Sequence, residues 1–159
     1  MGIGITREVR RAAALLLVAA VLPLGGCGGS GDATVEQDWE GPPQEAADGT
    51  MNVASFNDYL ADHDDDAKSP IAAATRFLRL DNAPAGTTSI ESRKAGEQES
   101  PVSVTVTLDR LPDDSVRARR YSLVLNLAGD DDWRLSSAVV TQRCWPNRGH
   151  QNFSTALCI

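Results

Sequence analysis

Between residues 100 and 145 the chain alternates in polarity, and that alternation leaves few folds open. Val102, Val104, Val106 and Leu108 are apolar at every second position, with Ser103, Thr105 and Thr107 between them. Successive side chains of a strand point to opposite faces, so this spacing predicts a strand buried on one face only. Leu111-Pro112-Asp113-Asp114-Ser115 supplies turn residues. Tyr121, Leu123, Leu125 and Leu127 then alternate on a long strand beginning near Val116. Gly129-Asp130-Asp131-Asp132 reads as the next turn, and Trp133 through Cys144 as another strand. A weaker strand is expected over Thr88–Lys94. Half-buried strands joined by short turns predict an antiparallel meander of about four strands.

Ahead of these strands the period changes. Phe56, Tyr59 and Leu60 fall on one face of a helix, and the acidic run Asp62-His63-Asp64-Asp65-Asp66 interrupts it. Ser69 offers a cap and Pro70 a pre-set first helical residue. Ile71, Ala74, Phe77 and Leu78 form the stripe of a second helix, which Asp81-Asn82-Ala83-Pro84 closes. Helices followed by a meander predict an α+β domain, with the N-terminal helices packed on one face of a curved antiparallel sheet.

The first residues differ in kind. Arg7, Arg10 and Arg11 outweigh Glu8, and an apolar run follows from Ala12 through Leu22. That run is shorter than the roughly 20 residues that span a bilayer, and it fits the apolar region of an export signal. Pro23 breaks the helix, and Leu24-Gly25-Gly26-Cys27 follows. These four residues resemble the lipobox of bacterial lipoproteins. The resemblance implies that diacylglycerol is joined to the Cys27 thiol and that the signal peptide, residues 1–26, is cut away. It also implies a protein anchored in the cell membrane on its extracytoplasmic face. One acyl chain anchors only marginally, whereas diacylglycerol supplies two. The chain carries −7, and residues 1–26 remove three arginines and one glutamate, leaving −9. Such an acidic chain is a poor nucleic-acid binder, because counterion release needs dense positive charge.

With Cys27 lipidated, Cys144 and Cys158 remain. In an oxidising compartment they most simply form one disulfide, the alternatives being two buried thiols or half of a metal site. Residues 28–50 hold Gly, Pro, Ser and acids with almost no apolar periodicity, and are expected to act as a solvated tether. Trp39 is the one anomaly in it. The expected organisation is signal peptide 1–26, lipidated Cys and flexible tether 27–50, and one α+β domain 51–159.

The order of helices and long strands, with Trp133-Arg134-Leu135-Ser136-Ser137 opening the last, resembles the cystatin-like roll of nuclear-transport-factor-two-like domains. The tail resembles a group of small actinobacterial lipoproteins of unknown function, through Gln142-Arg143-Cys144 and Arg148-Gly149-His150-Gln151-Asn152-Phe153-Ser154 to Cys158. The roll implies a sheet face open to an envelope protein or a small apolar ligand.

Several groups are candidates for chemistry. Asp62, Asp64 and Asp66 match the first ligand positions of a calcium loop, but Ala67 and Ala73 replace the glycine and the last glutamate it requires. A solvated loop is the better reading, and no metal or other cofactor is expected. Arg148, His150, Asn152 and Ser154 in the tail either converge on an anionic ligand or dock the tail by hydrogen bonds. The docking role is favoured. In an enzyme reading, His150 would be the general base of an envelope hydrolase or isomerase, with His63 a weaker choice. Arg110, Arg117, Arg119 and Arg120 gather around one hairpin, with Arg119 and Arg120 the candidates for a phosphate or an acidic partner. Asp109, Asp113 and Asp114 neutralise much of this charge, and a surface strand with paired charges is the favoured reading. No Gly-x-Ser-x-Gly elbow, phosphate loop or His-Glu-x-x-His is present, and no catalytic residue is assigned.

Overall fold

The computed structural model describes residues 38–97, 100–129 and 131–159. The signal region and Cys27 lie outside them. Helices α1 (Ala54–Ala61), α2 (Asp64–Ala67) and α3 (Pro70–Leu78) precede strands β1 (Thr87–Lys94), β2 (Val102–Asp109), β3 (Val116–Ala128) and β4 (Asp132–Cys144). The strands form one antiparallel sheet in the order β1-β2-β3-β4. The domain is α+β, with the helices on one face of that sheet.

The core lies between them. Val102, Val104, Val106 and Leu108 of β2, Tyr121, Leu123 and Leu125 of β3, and Leu135, Ala138 and Val140 of β4 are all buried. They pack with Phe56, Leu60, Ala67, Ala73, Ala74, Phe77 and Leu78 from the helices. The Ser69 hydroxyl accepts the Ala72 N–H at 3.0 Å, with Pro70 opening α3, so the expected cap forms. The acidic run does more than interrupt: Asp64–Ala67 makes the short helix α2 and buries Ala67.

The alternation of β3 breaks once. Val116 pairs with Cys144 but Ala118 pairs with Arg143, so Arg117 is the extra residue of a β-bulge. Ala118 therefore shares the face turned away from the helices with Asp109 and Arg143, while Arg119 shares the helix face with Leu108 and Gln142.

The outer edge of β4 is closed by several short pieces of chain. The Asn57 amide donates to the Leu135 carbonyl at 2.8 Å and accepts the Leu135 N–H at 2.9 Å. Met51 N–H donates to Ala138 O at 3.0 Å, and Val140 N–H to Gly49 O at 2.8 Å. Gln142 and Ser154 exchange both of their backbone bonds. Gly49 has a φ of +82°, and a Cβ there would stand 2.3 Å from the Val140 carbonyl oxygen, so no larger residue fits without displacing the strand.

The stretch expected as a tether, 28–50, is, in its described part 38–50, a piece of the folded body. The Trp39 indole N–H donates to the Phe77 carbonyl at 3.0 Å. Its ring lies 4.9 Å from that of Phe56, edge to face, and 6.2 Å from that of Phe77. An aromatic packed against the core overrides the polar, proline-containing composition around it. The folded chain therefore reaches back at least to Asp38, ahead of the boundary expected at residue 51.

Candidate functional site

The tail after β4 folds back on the sheet. Cys144 and Cys158 form a disulfide, with Cα atoms 5.5 Å apart. Gly149 passes beside it with φ +130°, where an added Cβ would come within 2.9 Å of the Cys144 sulfur. The His150 ring fastens the turn, its Nδ1 lying 2.7 Å from Asn152 O and its Nε2 2.8 Å from Ala156 O. Gln142 Nε2 donates to the same Ala156 carbonyl at 2.9 Å. The Ser154 hydroxyl accepts the Ala156 N–H at 3.1 Å, and Arg148 contributes its carbonyl to the Ile159 N–H at 2.8 Å. The four tail candidates thus serve, through side chain or backbone, to give an irregular segment its hydrogen bonds. Both ring nitrogens of His150 face carbonyl oxygens of the tail itself, which commits the ring to the tail's own structure. Cys144, His150 and Cys158 have donor atoms within 4.8 Å of one another, but the sulfurs are bonded to each other and offer no thiolate.

On the sheet face away from the helices, the tail meets the arginines. The Arg120 guanidinium lies 3.8 Å from the centre of the Phe153 ring, and Arg143 lies 5.2 Å from it on the same ring. Arg117 stands 5.5 Å from the Trp145 ring, whose indole N–H donates to Asp113 O at 2.8 Å. Asp109 accepts from Arg117 at 3.3 Å and from Arg143 at 3.2 Å. Burial alone would raise the Asp109 carboxyl, but the Arg110 N–H and the two guanidinium groups outweigh it and hold it below the ordinary carboxylate value. Among the described residues no carboxylate pairs with Arg120. Its ring contact leaves the N–H edge available for a carboxylate or phosphate. Around Arg120 this face carries Ser103, Thr105, Thr107, Ser122, Ser137 and Thr141, with Val124 and Val139 half-buried among them.

Arg119, expected beside Arg120, is on the opposite face. It pairs with Glu45 at 3.4 Å. Burial lowers its affinity for the proton, yet the Tyr121 hydroxyl and Glu45 more than compensate. Arg110 bonds the Thr87 hydroxyl. Phe153 and Trp145 are the site residues that the sequence reading left unassigned. The signal for them was two aromatic rings in the tail that follows an arginine-rich hairpin.

The acidic loop builds a second concavity. His63 stacks on Tyr59 with ring centres 3.8 Å apart, and its Nδ1 lies 2.8 Å from the Tyr59 carbonyl. The Tyr59 hydroxyl donates to Asp66 at 2.8 Å and accepts from Arg76 at 3.0 Å. Arg76 also pairs with Asp38. Asp66 is thus committed to a tyrosine and an arginine. A cavity of about 570 Å³ lies beside it, lined by Trp39, Glu40, Asp58, Tyr59, Asp62 and His63.

No helix among the described residues is long and apolar enough to cross a membrane. No protein-family model, curated protein or solved structure matches the chain.

Proposed function

We propose that this chain is a cell-envelope lipoprotein, anchored by diacylglycerol on Cys27 at the extracytoplasmic face of the membrane, whose domain binds an acidic envelope protein. In this reading residues 1–26 are the signal peptide and the sheet is a cystatin-like roll. The order of charge, apolar run, helix breaker and Leu24-Gly25-Gly26-Cys27 supports the anchor. The binding role rests on one observation: Arg120 stacks on Phe153, on the sheet face without helices, with no carboxylate partner among the described residues. Stacking holds the guanidinium plane still, so a partner carboxylate meets two preset N–H donors at a reduced entropic cost.

Two measurements test the proposal. Cys27→Ala should move the protein from the membrane fraction to the soluble fraction, and unchanged retention through a carbonate wash would remove the anchor from the account. Crosslinking on native membranes, followed by detergent extraction and mass spectrometry, should recover an envelope partner. Arg120→Glu should lose that partner while staying folded, with a melting temperature within a few degrees of wild type after loss of the ring contact. A partner recovered equally well with the variant would place its docking site elsewhere.

A further inference from the structure

The two edges of the sheet are finished differently. Asn57, residues 49–51 and Ser154 close the outer edge of β4, whereas no described residue pairs with the outer edge of β1. All eight residues of β1 are exposed, on both faces. Ile90 is 39 % exposed although its cross-strand neighbour Val106 is fully buried. The strand has no proline, glycine or bulge, and its register with β2 runs unbroken from Thr87↔Asp109 to Lys94↔Val102. A free edge of this length is a template for another strand, and here only the charges of Glu91, Arg93 and Lys94 guard it against partners that do not match them.

The charges on β1 say which strand fits. Glu91 and Arg93 lie on one face, 3.3 Å apart, with both side chains largely in solvent. Set two copies of β1 antiparallel about a two-fold axis through Ser92. Glu91 of each copy then stands opposite Arg93 of the other, giving two complementary pairs, and Ile90 lies against the aliphatic stem of Lys94. An axis through Glu91 would instead oppose two carboxylates, and one through Ile90 would leave both charges facing serine or threonine. Directly opposed opposite charges stabilise an antiparallel pair and like charges weaken it.

We infer that β1 is a self-association edge, and that two copies of this chain join through antiparallel β1 strands centred on Ser92 into one eight-stranded sheet. A two-fold contact of this kind is self-complementary and closes at two copies. The inference does not depend on the lipid anchor or on the Arg120 site.

Cysteine crosslinking reads the register directly. At the two-fold axis the two copies of residue 92 face each other with Cβ atoms roughly 4.5–5.5 Å apart, close enough for a disulfide to form. Full-length Ser92→Cys in detergent should therefore give a covalent dimer under mild oxidation, whereas Ser89→Cys, opposite Ala95, should not. Adding Glu91→Arg to Ser92→Cys sets arginine against arginine twice and should weaken association about tenfold. Adding Arg93→Glu as well should restore it. A Ser92→Cys protein that sediments as a monomer and fails to crosslink overturns the inference. So does equal crosslinking from positions 89 and 92, or a dimer that Glu91→Arg leaves unchanged.

Discussion

Trp39→Ala is expected to destabilise the domain by about 3 kcal/mol and lower its melting temperature by roughly 10 °C. The indole is packed against Phe56, Phe77 and Tyr59, and its N–H satisfies the Phe77 carbonyl in the last turn of α3. Truncation removes the ring, opens a void against Phe56, which is fully buried, and leaves that carbonyl without its partner. Trp39→Phe should recover much of the loss, since it restores most of the ring but not the donor. Differential scanning calorimetry on the three proteins decides the matter. If residues 38–50 were only a leash, the alanine variant would melt with the wild type.

Replacing both cysteines of the clasp, as Cys144→Ser with Cys158→Ser, is expected to cost about 3 kcal/mol in the chain-entropy account of a closed loop. The sequence separation is 14 residues. The tail has little apolar burial of its own: Leu157 is 81 % and Ile159 78 % exposed. What else holds it is mostly hydrogen bonding: Gln142, His150 and Ser154 bond to the tail backbone, Trp145 to Asp113 and Ser115, and Ser115 to Ile159. Loss of the disulfide should therefore show first as local release: faster hydrogen exchange in 145–159 and early proteolysis there, along with the lower melting temperature. Exchange rates in the tail that match the wild type would mean that the hydrogen bonds alone hold it.

How legible these features were depends on how local their causes are. The strands β2, β3 and β4 announced themselves because each buries one face, which writes period two into the residues. β1 gave a weaker signal for the same reason: all eight residues are exposed, so no burial selects their polarity. Ser69 and Pro70 marked α3 through contacts within one turn. Trp39 was opaque, because Phe56 and Phe77 lie 17 and 38 residues away and composition near Trp39 says only that the chain is polar there. Arg119 and Arg120 were grouped as neighbours in sequence, yet adjacent residues of a strand face opposite ways, and that separation follows from the strand assignment itself. The contact of Arg120 with Phe153 spans 33 residues and depends on how the tail folds back, which no local pattern encodes. The bulge at Arg117 was equally hidden, since Val116 and Ala118 look like one face by spacing alone.

The clasp also sets a timetable. In a reducing compartment Cys144 and Cys158 stay apart, and Phe153, which lies within the loop they close, is expected to loosen from the sheet along with the rest of the tail. Arg120 would then stand bare, as one mobile cation in an acidic chain. Oxidation is then the step expected to lay the ring beneath the guanidinium, so in the proposed binding role the surface would be finished only where the disulfide can form. If the proposed binding role holds, a copy with the clasp reduced should bind its partner more weakly than the oxidised protein.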